Sequence, residues 1–290
     1  MRGTNLQLSL LRRRFAAFAL LFCVLAPGLA RAQTPSPLQE WQYSSGIILE
    51  RLFEPDVPEW RTVLGAGIEF RPIYQGSSAY RGEGGPVVNV RYKDLAFFSV
   101  GEGLGVNLWS GDNYRAGIAL GYDLGRREGD DLTHLRGLGD IGRAPTIKAF
   151  ASYVVSKKLP LVMRADVRQI FGGGADGLLA DFGAYVPLPG SSKKLFMFAG
   201  PSITIADRRY EQRVFGVTPT QALASGYPEY TAHGGPNVAG FGFSATRFIT
   251  EHWLINTDLA INRLLGSSSD SPITQRNVQG VVALSMEYSW

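Results

Sequence analysis

The sequence predicts an all-β fold, a transmembrane antiparallel β-barrel of about 12 strands, with about ten as the fallback. Three observations predict this class. The chain ends on an alternating strand with a terminal aromatic residue, begins with a secretory signal, and contains many further alternating segments. After that signal, no segment approaches the length of apolar sequence that a spanning helix needs. Because lipid offers backbone groups no water, such a chain crosses a membrane only as a closed barrel.

The C-terminal segment 280–290 alternates with period two, which indicates a strand. Its apolar face comprises Val282, Leu284, Met286, Tyr288 and Trp290, and its polar face comprises Ala283, Ser285, Glu287 and Ser289. An apolar face for lipid with aromatic residues at the interface is typical of outer-membrane barrels. We therefore expect Trp290, Tyr288 and Met286 to form the assembly signal that the barrel-assembly machinery recognises. The last strand of a soluble sandwich or barrel is the alternative.

Residues 1–32 have the three parts of a secretory signal peptide. Arg12, Arg13 and Arg14 precede an apolar stretch over residues 15–25, and Ala30-Arg31-Ala32 resembles a cleavage site. We expect cleavage after Ala32. The outer membrane of a Gram-negative cell is then the predicted location, with lipid and lipopolysaccharide around the barrel.

The signal also changes what the composition indicates. The chain carries 29 Lys+Arg and 25 Asp+Glu, but residues 1–32 contain five Arg and no acid, which leaves 24 against 25, a net charge of −1. The basic balance therefore gives no support to nucleic-acid binding. The only cysteine, Cys23, also lies in the signal, so no disulfide or thiol chemistry is expected.

Strand candidates follow one another from Trp60 onward. They are residues 62–71, 86–92, 95–109, 114–124, 145–155, 161–169, 178–186, 195–206, 237–248, 253–262 and about 276–290. Short and long connections alternate correctly only if the stretch 95–109 is divided near Gly101-Glu102-Gly103, because glycine allows a strand to turn. This division gives the predicted 12 strands, with the short turns and both termini on the periplasmic side. Residues 60–290 form the predicted barrel, and residues 33–59 form a periplasmic lead-in or plug.

Polar side chains on the faces opposite the apolar ones are predicted to line the lumen. The candidates are Glu69, Arg71, Asn89, Arg91, Asp123, Arg164, Asp166, Arg168, Asn256, Asp258 and Glu287. Opposite charges among them either pair and block the lumen or line a narrow water path, and the sequence leaves both readings open.

The predicted loops carry short motifs in a characteristic order. They are Tyr74-x-Gly76-Ser77, Gly121-Tyr122 followed by Gly125-Arg126, Leu138-Gly139-Asp140, Phe215-Gly216-Val217, Ser225-Gly226-Tyr227-Pro228 with Tyr230, and Asp270-Ser271-Pro272-Ile273-Thr274. In this order, over residues 60–290, the chain resembles the MltA-interacting protein (MipA)/OmpV family.

This resemblance implies an outer-membrane barrel that serves as a scaffold between a murein-degrading lytic transglycosylase and a murein synthase. A narrow porin-like channel for small solutes is the alternative, motivated by the polar lumen set. A surface adhesin is a third reading, based on the connection 207–236 with an exposed Phe215 and Tyr227. The family brings no catalytic residues, so none are expected here.

The residues themselves also argue against an enzyme. A lipid-modifying enzyme in the barrel wall would need a Ser or Thr nucleophile beside a His base. His134 and His233 lie in predicted long loops and His252 lies in a predicted short turn, so none stands on a strand beside such a nucleophile. We expect no catalytic site, no cofactor and no metal.

Overall fold

The computed structural model describes residues 59–155, 160–172, 176–192 and 194–290. This part of the chain contains 12 β-strands. They are β1 (Trp60–Pro72), β2 (Tyr80–Tyr92), β3 (Ala96–Ser99), β4 (Gly103–Ser110), β5 (Tyr114–Asp123), β6 (Ala144–Val154), β7 (Val162–Ile170), β8 (Gly177–Pro187), β9 (Leu195–Ala206), β10 (Gly235–Phe248), β11 (Trp253–Leu264) and β12 (Val278–Ser289). The predicted signal peptide and the predicted lead-in before Glu59 lie outside the described residues.

Each strand pairs antiparallel with its neighbour in the sequence, and β1 pairs with β12 to close the barrel. The closing register runs from Val63 opposite Ser289 to Phe70 opposite Val282. The predicted division between β3 and β4 is confirmed. Gly103 begins β4 with φ +83°, and a Cβ there would lie 2.0 Å from the Leu120 carbonyl oxygen, so this turn requires glycine.

The outer face of the barrel is apolar. Along β12 the exposed side chains are Val282, Leu284 and Met286, while Ala283, Ser285, Glu287 and Ser289 are buried on the other face. Other strands show the same division, for example exposed Leu120 beside buried Ala119. This pattern matches an apolar surface for lipid and a polar interior.

None of the helices among the described residues is long and apolar enough to cross a membrane.

The two ends of the barrel differ. The short connections 93–95, 111–113, 155–161, 188–194 and 249–252 lie at the end where β1 begins and β12 finishes. The connections 124–143, 207–234 and 265–277 at the other end are longer and contain helices, and we call this end the loop end. The helices are α1 (Arg208–Phe215), α2 (Pro219–Ser225), α3 (Gly266–Asp270) and a 3-10 helix (Glu128–Asp130).

One predicted loop is wrong in length. Residues 80–85 were expected in a long connection, but they belong to β2, which begins at Tyr80. Gly82, Gly84 and Gly85 remove the apolar alternation from this part of the sequence. The pairing of Arg81 with Arg71 and of Glu83 with Glu69 nevertheless continues the ladder with β1.

Aromatic side chains gather at the short-turn end around the C-terminus. The rings of Trp60 and Tyr92 lie 4.6 Å apart, and Tyr288 contacts both Trp253 at 5.1 Å and Trp290 at 4.6 Å. This group corresponds to the aromatic girdle that outer-membrane barrels place at the membrane interface.

Deletion of Trp290 is expected to impair insertion of the barrel in cells while leaving the folded barrel nearly as stable. The backbone N–H of Trp290 donates to the Thr62 carbonyl at 3.0 Å and its ring is largely exposed, so its loss removes about one hydrogen bond, roughly 1 kcal/mol. Outer-membrane levels in cells and refolding yield in detergent give the two measurements. Normal cellular levels of the deletion variant would contradict the assembly role.

Candidate functional site

The candidate site is the interior of the barrel. The predicted lumen set lies on the face of the sheet opposite the exposed apolar residues, where Glu69 and Arg91 are half-buried. The buried members are Arg71, Asn89, Asp123, Arg164, Asp166, Arg168, Asn256, Asp258 and Glu287. A charged side chain in such a position must be paired or hydrated, because burial of an isolated charge is costly.

Glu102 forms the centre of an ionic group inside the barrel. It lies in the turn between β3 and β4, and its side chain is fully buried. One carboxylate oxygen accepts from Lys148 Nζ on β6 at 3.1 Å and from Arg164 Nη2 on β7 at 2.6 Å. Arg164 Nε also lies 3.2 Å from Asp166 Oδ2. These contacts fix the tip of the β3–β4 hairpin to β6 and β7 in the barrel wall. We give the name cross-brace to Glu102, Lys148, Arg164 and Asp166.

A second ionic group lies along β1 and β2 near the loop end. Arg71 binds Glu69 at 3.5 Å and forms a second ion pair with Glu83. Arg81 Nε contacts Glu83 at 2.9 Å, and its Nη1 contacts Asp130 of the 3-10 helix at 3.3 Å. The signs alternate along each strand, and the register sets Arg71 opposite Arg81 and Glu69 opposite Glu83, so the ion pairs form along a strand or diagonally between the two.

The wall formed by β11 and β12 is polar. Asn256 accepts from Thr246 Oγ1 at 2.8 Å and donates to Asp258 at 2.8 Å. On the next strand Ser285 donates to Glu287 at 2.5 Å. Asn256, Asp258, Ser285 and Glu287 are all buried among the interior side chains.

Opposite this wall, the interior of β6 to β10 is apolar at both ends. At the short-turn end, Val154, Val162, Tyr185, Phe196 and Phe198 form one cluster. At the loop end, Tyr210 and Phe215 of α1 pack against one inward side chain from each of six strands. Those strand residues are Ala144, Ile170, Leu179, Ala206, Val238 and Leu264. Helix α1 therefore sits in the mouth of the lumen.

The expectation that Phe215 is exposed is wrong. Its side chain is fully buried, because α1 places it against the barrel mouth and not toward solvent. Tyr227 is partly buried against the neighbouring loops. The adhesin hypothesis relied on an exposed Phe215 and Tyr227. Because Phe215 is buried, it gives no support to that hypothesis.

The long connections pack on one another above α1. Four connections meet in a buried cluster, which consists of Tyr74, Leu135, Leu138, Val217 and Ile273. Tyr74 donates through its hydroxyl to the Ile273 carbonyl at 3.3 Å, and Ser271 Oγ donates to the Phe215 carbonyl at 2.6 Å. We call this cluster together with α1, α2 and α3 the cap.

The cap contains most of the motifs on which the family resemblance rests. Gly76 has φ +101°, and a Cβ at this position would lie 2.9 Å from Thr274 Oγ1, so glycine allows two motifs to meet. Val217 and Tyr230 form a backbone bridge, and the Tyr230 hydroxyl donates to the Ser267 carbonyl at 2.9 Å. The motifs thus encode one folded unit at the loop end.

Glu211, a residue of the cap, has a carboxyl group with a raised pKa. Its side chain is buried in α1, and this burial raises the pKa of the carboxyl from 4.5 to about 7, although a hydrogen bond from Asn237 Nδ2 at 2.9 Å acts in the opposite direction. The nearby Asp207 carboxylate adds to the rise. Glu211 therefore titrates near neutral pH.

The cap is expected to be more stable at pH 5 than at pH 8. Between about 4.5 and about 7 the folded state holds the Glu211 proton more tightly than the unfolded state, so this contribution disappears as the pH rises through the folded pKa of about 7. The difference is on the order of 2 kcal/mol. Hydrogen–deuterium exchange in residues 208–233, corrected for intrinsic rates, measures it.

The Glu211→Gln variant should remove this pH dependence, because the amide is neutral and its oxygen can still accept from Asn237. Glu229→Gln, an exposed change on the same connection, is the matched control and should retain the dependence. An unchanged pH profile in Glu211→Gln would show that another group is responsible.

Several interior residues were missed by the sequence reading. Glu102 lay in a glycine-rich stretch that was interpreted only as a turn. Lys148 lay in a strand that has Phe150 and Val154 on its inward face and two alanines on its outward face, which weakens the contrast between the faces. Arg81 and Glu83 fell in the predicted loop. Arg115, which pairs with Asp94 at 2.8 Å, could have been found from its parity with Gly117 and Ala119 on β5.

The histidines are placed in connections. His134 Nδ1 lies 2.9 Å from Asp131, and His252 stacks on Tyr288 at 5.3 Å. His233 donates its backbone N–H to Ser267 Oγ. Within the described ranges, no three His, Cys, Asp or Glu side chains are grouped as metal ligands would be.

Strand pairing, an apolar exterior and a charged interior define a transmembrane β-barrel of 12 strands with a folded cap at one end. The chain belongs to the MipA family: the family described as MltA-interacting protein MipA matches residues 64–290.

Comparison with solved structures adds a general likeness to other barrels. The NanC porin shares 9 % identity with a TM-score of 0.41, covering 79 % of this chain and 98 % of that one. The translocator domain of the autotransporter NalP from Neisseria meningitidis shares 11 % identity with a TM-score of 0.38, covering 82 % and 90 %. The outer-membrane channel DcaP of Acinetobacter baumannii shares 8 % with a TM-score of 0.35, covering 80 % and 96 %. No curated protein matches the sequence.

Proposed function

We propose that this protein is an outer-membrane anchor that serves as a scaffold for a murein-degrading lytic transglycosylase, of the kind named in its family, together with a murein synthase. In this proposal the short-turn end and residues 33–59 face the periplasm, and the cap faces the cell exterior. The lipid contacts of the outer face and delivery by the barrel-assembly machinery belong to the same proposal.

The observation that carries this proposal is that ion pairs and helix α1 occupy the interior of this barrel, in a chain that belongs to the MipA family. The cross-brace ties the β3–β4 turn to β6 and β7, and α1 packs into the mouth of the lumen. A barrel with its interior occupied in this way resists deformation and suits an anchor better than a wide pore. The family's printed description, an MltA-interacting protein, supplies the kind of partner.

Capture of a purified MltA-type lytic transglycosylase by the refolded protein in nanodiscs tests the scaffold. Removal of residues 33–58 is expected to abolish capture, because these residues would extend from the periplasmic end of β1. The deletion spares Glu59, whose carbonyl accepts from the Lys93 N–H at 2.7 Å, so the first turn of the barrel keeps its contacts.

The matched control shortens the opposite end. Replacement of residues 219–225, helix α2, by a short glycine linker should leave capture unchanged, since this helix lies in the cap. Capture that survives loss of residues 33–58 would refute the assigned surface, and absence of capture by the intact protein would refute the scaffold.

A narrow channel is the second candidate, and the polar wall favours it. Asn256, Asp258, Ser285 and Glu287 line one side of the interior, and Glu69 continues the same side on β1. Water and small ions would follow this wall and not the opposite strands, whose two ends carry apolar clusters. Discrete conductance steps of the unmodified protein in a planar bilayer would favour the channel over the anchor.

A further inference from the structure

The barrel wall is incomplete near the loop end. Strand β3 has four residues, and it pairs with β2 only from Asn89 to Tyr92. On the other side, the pairing of β4 with β5 reaches no further than Leu104 opposite Leu120. The part of β2 nearer the loop end therefore has β1 on one side and, within the described part of the chain, no strand on the other.

The direction of the backbone groups shows which residues form the free edge. The Val88 carbonyl accepts from the Val100 N–H at 3.2 Å, so Val88 directs its backbone groups toward β3. Residues two apart in an antiparallel strand direct these groups to the same side. Pro86, Gly84 and Gly82 consequently face the region beyond the end of β3.

The composition of this segment fits an exposed edge. Proline has no N–H to offer and is confined to edge strands and bulges. Gly82, Gly84, Gly85 and Pro86 are exposed, and a Cβ at Gly82 or Gly85 would meet nothing within 4 Å. The described residues therefore leave space on the outer face of the wall at Gly82 and on its inner face at Gly85.

Four features frame this gap, which we call the lateral opening. The edge of β2 from Gly82 to Pro86 forms one side, and residues 120–122 of β5 form the other. The β3–β4 turn closes the opening on the side nearer the short-turn end. The Arg81–Asp130 ion pair, at 3.3 Å, crosses it on the side nearer the loop end. Five residues of β2 correspond to about 16 Å along the strand.

The lateral opening must hold polar material. Exposed Ile68 and Phe70 lie opposite Gly84 and Gly82 on β1, so the opening is level with the apolar surface. Peptide groups facing lipid without a partner cost several kcal/mol each, and open sheet edges do not face lipid directly. Glu69, Glu83 and Arg81 are also partly exposed, with 17–19 % of each side chain accessible.

The chemistry of the lining selects among polar molecules. Arg71 and Arg81 face three carboxylates, those of Glu69, Glu83 and Asp130, so the opening has no excess positive charge to select a phosphate. Each carboxylate already pairs with an arginine, which leaves no free carboxylate to select an ammonium group. Backbone N–H and C=O groups beside Arg and Glu side chains offer donors and acceptors together, which hydroxyl groups match because each both donates and accepts. A second polypeptide strand fits less well, because Pro86 interrupts the donors of the edge.

The rim is apolar and aromatic. Val100, Leu104 and Leu120 are exposed around the side nearer the short-turn end and the β5 side, and Tyr122 is 57 % exposed. The Phe70 ring stacks on Tyr80 at 5.2 Å beside the opposite edge. An amphiphile with a sugar headgroup in the opening would therefore have apolar surface for its acyl chains directly outside.

We propose that the lateral opening binds the sugar headgroup of a glycolipid from the outer leaflet of the membrane. The headgroup hydroxyls satisfy the free edge of β2 at Gly82 and Gly84 and reach Glu83, while the acyl chains lie along Leu104 and Leu120. This site depends on the proposed orientation of the barrel in the outer membrane and is independent of the scaffold role.

Single cysteines test the opening directly, since Cys23 is the only native cysteine. In a Cys23→Ser background, Gly84→Cys places a thiol on the outer face beside the free edge, and Leu284→Cys places one on the outer face of a fully paired strand. Both residues lie opposite Ile68, so the two thiols are level in the barrel wall. In phospholipid nanodiscs, a polar maleimide should modify Gly84→Cys at least about tenfold faster than Leu284→Cys. Equal rates would overturn the opening.

Lipopolysaccharide added to the nanodiscs tests the occupant. It should slow modification of Gly84→Cys several-fold and leave Leu284→Cys unchanged, whereas phosphatidylglycerol should protect neither thiol. No protection by lipopolysaccharide, or equal protection by the phospholipid, would overturn the glycolipid assignment. Neither measurement involves a murein enzyme, so failure of the scaffold proposal is recorded separately.

A filled opening provides a second test. Gly84→Trp should cover the free edge from the outer face, where its Cβ would come no closer than 3.7 Å to the Gly67 carbonyl oxygen, and should reduce the lipopolysaccharide that remains bound during purification. Leu284→Trp, on the exposed face of a paired strand, is the matched control and should retain it. Heat-modifiable gel mobility confirms folding of both variants, and equal retention by the two would overturn the site.

Discussion

Replacing Glu102 with alanine is expected to lower the free energy of unfolding by about 3–5 kcal/mol. The Glu102 carboxylate is fully buried and is the shared acceptor of Lys148 and Arg164. Its removal leaves two buried cations with one fewer counter-charge, and the cost of an uncompensated buried charge exceeds the value of the pair itself. Urea unfolding of the refolded barrel in lipid vesicles, followed by tryptophan fluorescence, measures the change.

The matched control is an ion pair at the surface. Glu59 pairs with Lys93 at 3.2 Å, and both side chains are more than half exposed. Glu59→Ala should therefore change the free energy of unfolding far less than Glu102→Ala does. Similar losses in the two variants would mean that the cross-brace is hydrated and that the anchor proposal has lost its main support.

The strands that were predicted well are those with strong contrast between their faces. On β12, Met286 and Leu284 alternate with Glu287 and Ser285, and β7 alternates Met163 and Val167 with Arg164 and Asp166. Because lipid accepts only apolar side chains and the lumen tolerates charge, the sequence of each such strand shows which of its faces points outward. Periodicity alone was enough to place these residues.

The interior contacts could not be predicted in the same way. Whether Glu102 reaches Lys148 and Arg164 depends on the length of β3, which ends after four residues. A hairpin of ordinary length would have carried Glu102 to the rim. Alternation gives the face of a residue but not its height in the barrel, and height is set by the register of distant strands.

The cap was beyond periodicity for a different reason. Helix α1 has eight residues, fewer than an isolated helix needs, and it is stabilised by Tyr210 and Phe215 against the barrel mouth. Only the resemblance to a family singled out these loops. The structure gives that resemblance a physical content, since Tyr74, Val217 and Ile273 pack in one cluster.

Replacing Phe215 with alanine is expected to destabilise the cap by about 3–5 kcal/mol and to leave the strands of the barrel paired. The Phe215 side chain is fully buried between α1 and the inward residues of β6 to β11, and its carbonyl also accepts from Ser271 Oγ at 2.6 Å. Rapid hydrogen exchange confined to residues 208–233 would show local unfolding of the cap.

The same variant separates the anchor from the channel. If the cap closes an otherwise continuous polar path, Phe215→Ala should give discrete conductance steps in a planar bilayer that the unmodified protein lacks. If the cross-brace also blocks the path, as the anchor proposal requires, Phe215→Ala should remain silent until Glu102→Ala is added. Leu223→Ala, whose side chain on α2 is 91 % exposed, is the control and should change neither exchange nor conductance. Steps from the unmodified protein would show that α1 leaves the path open, and would favour a channel that the cap does not close.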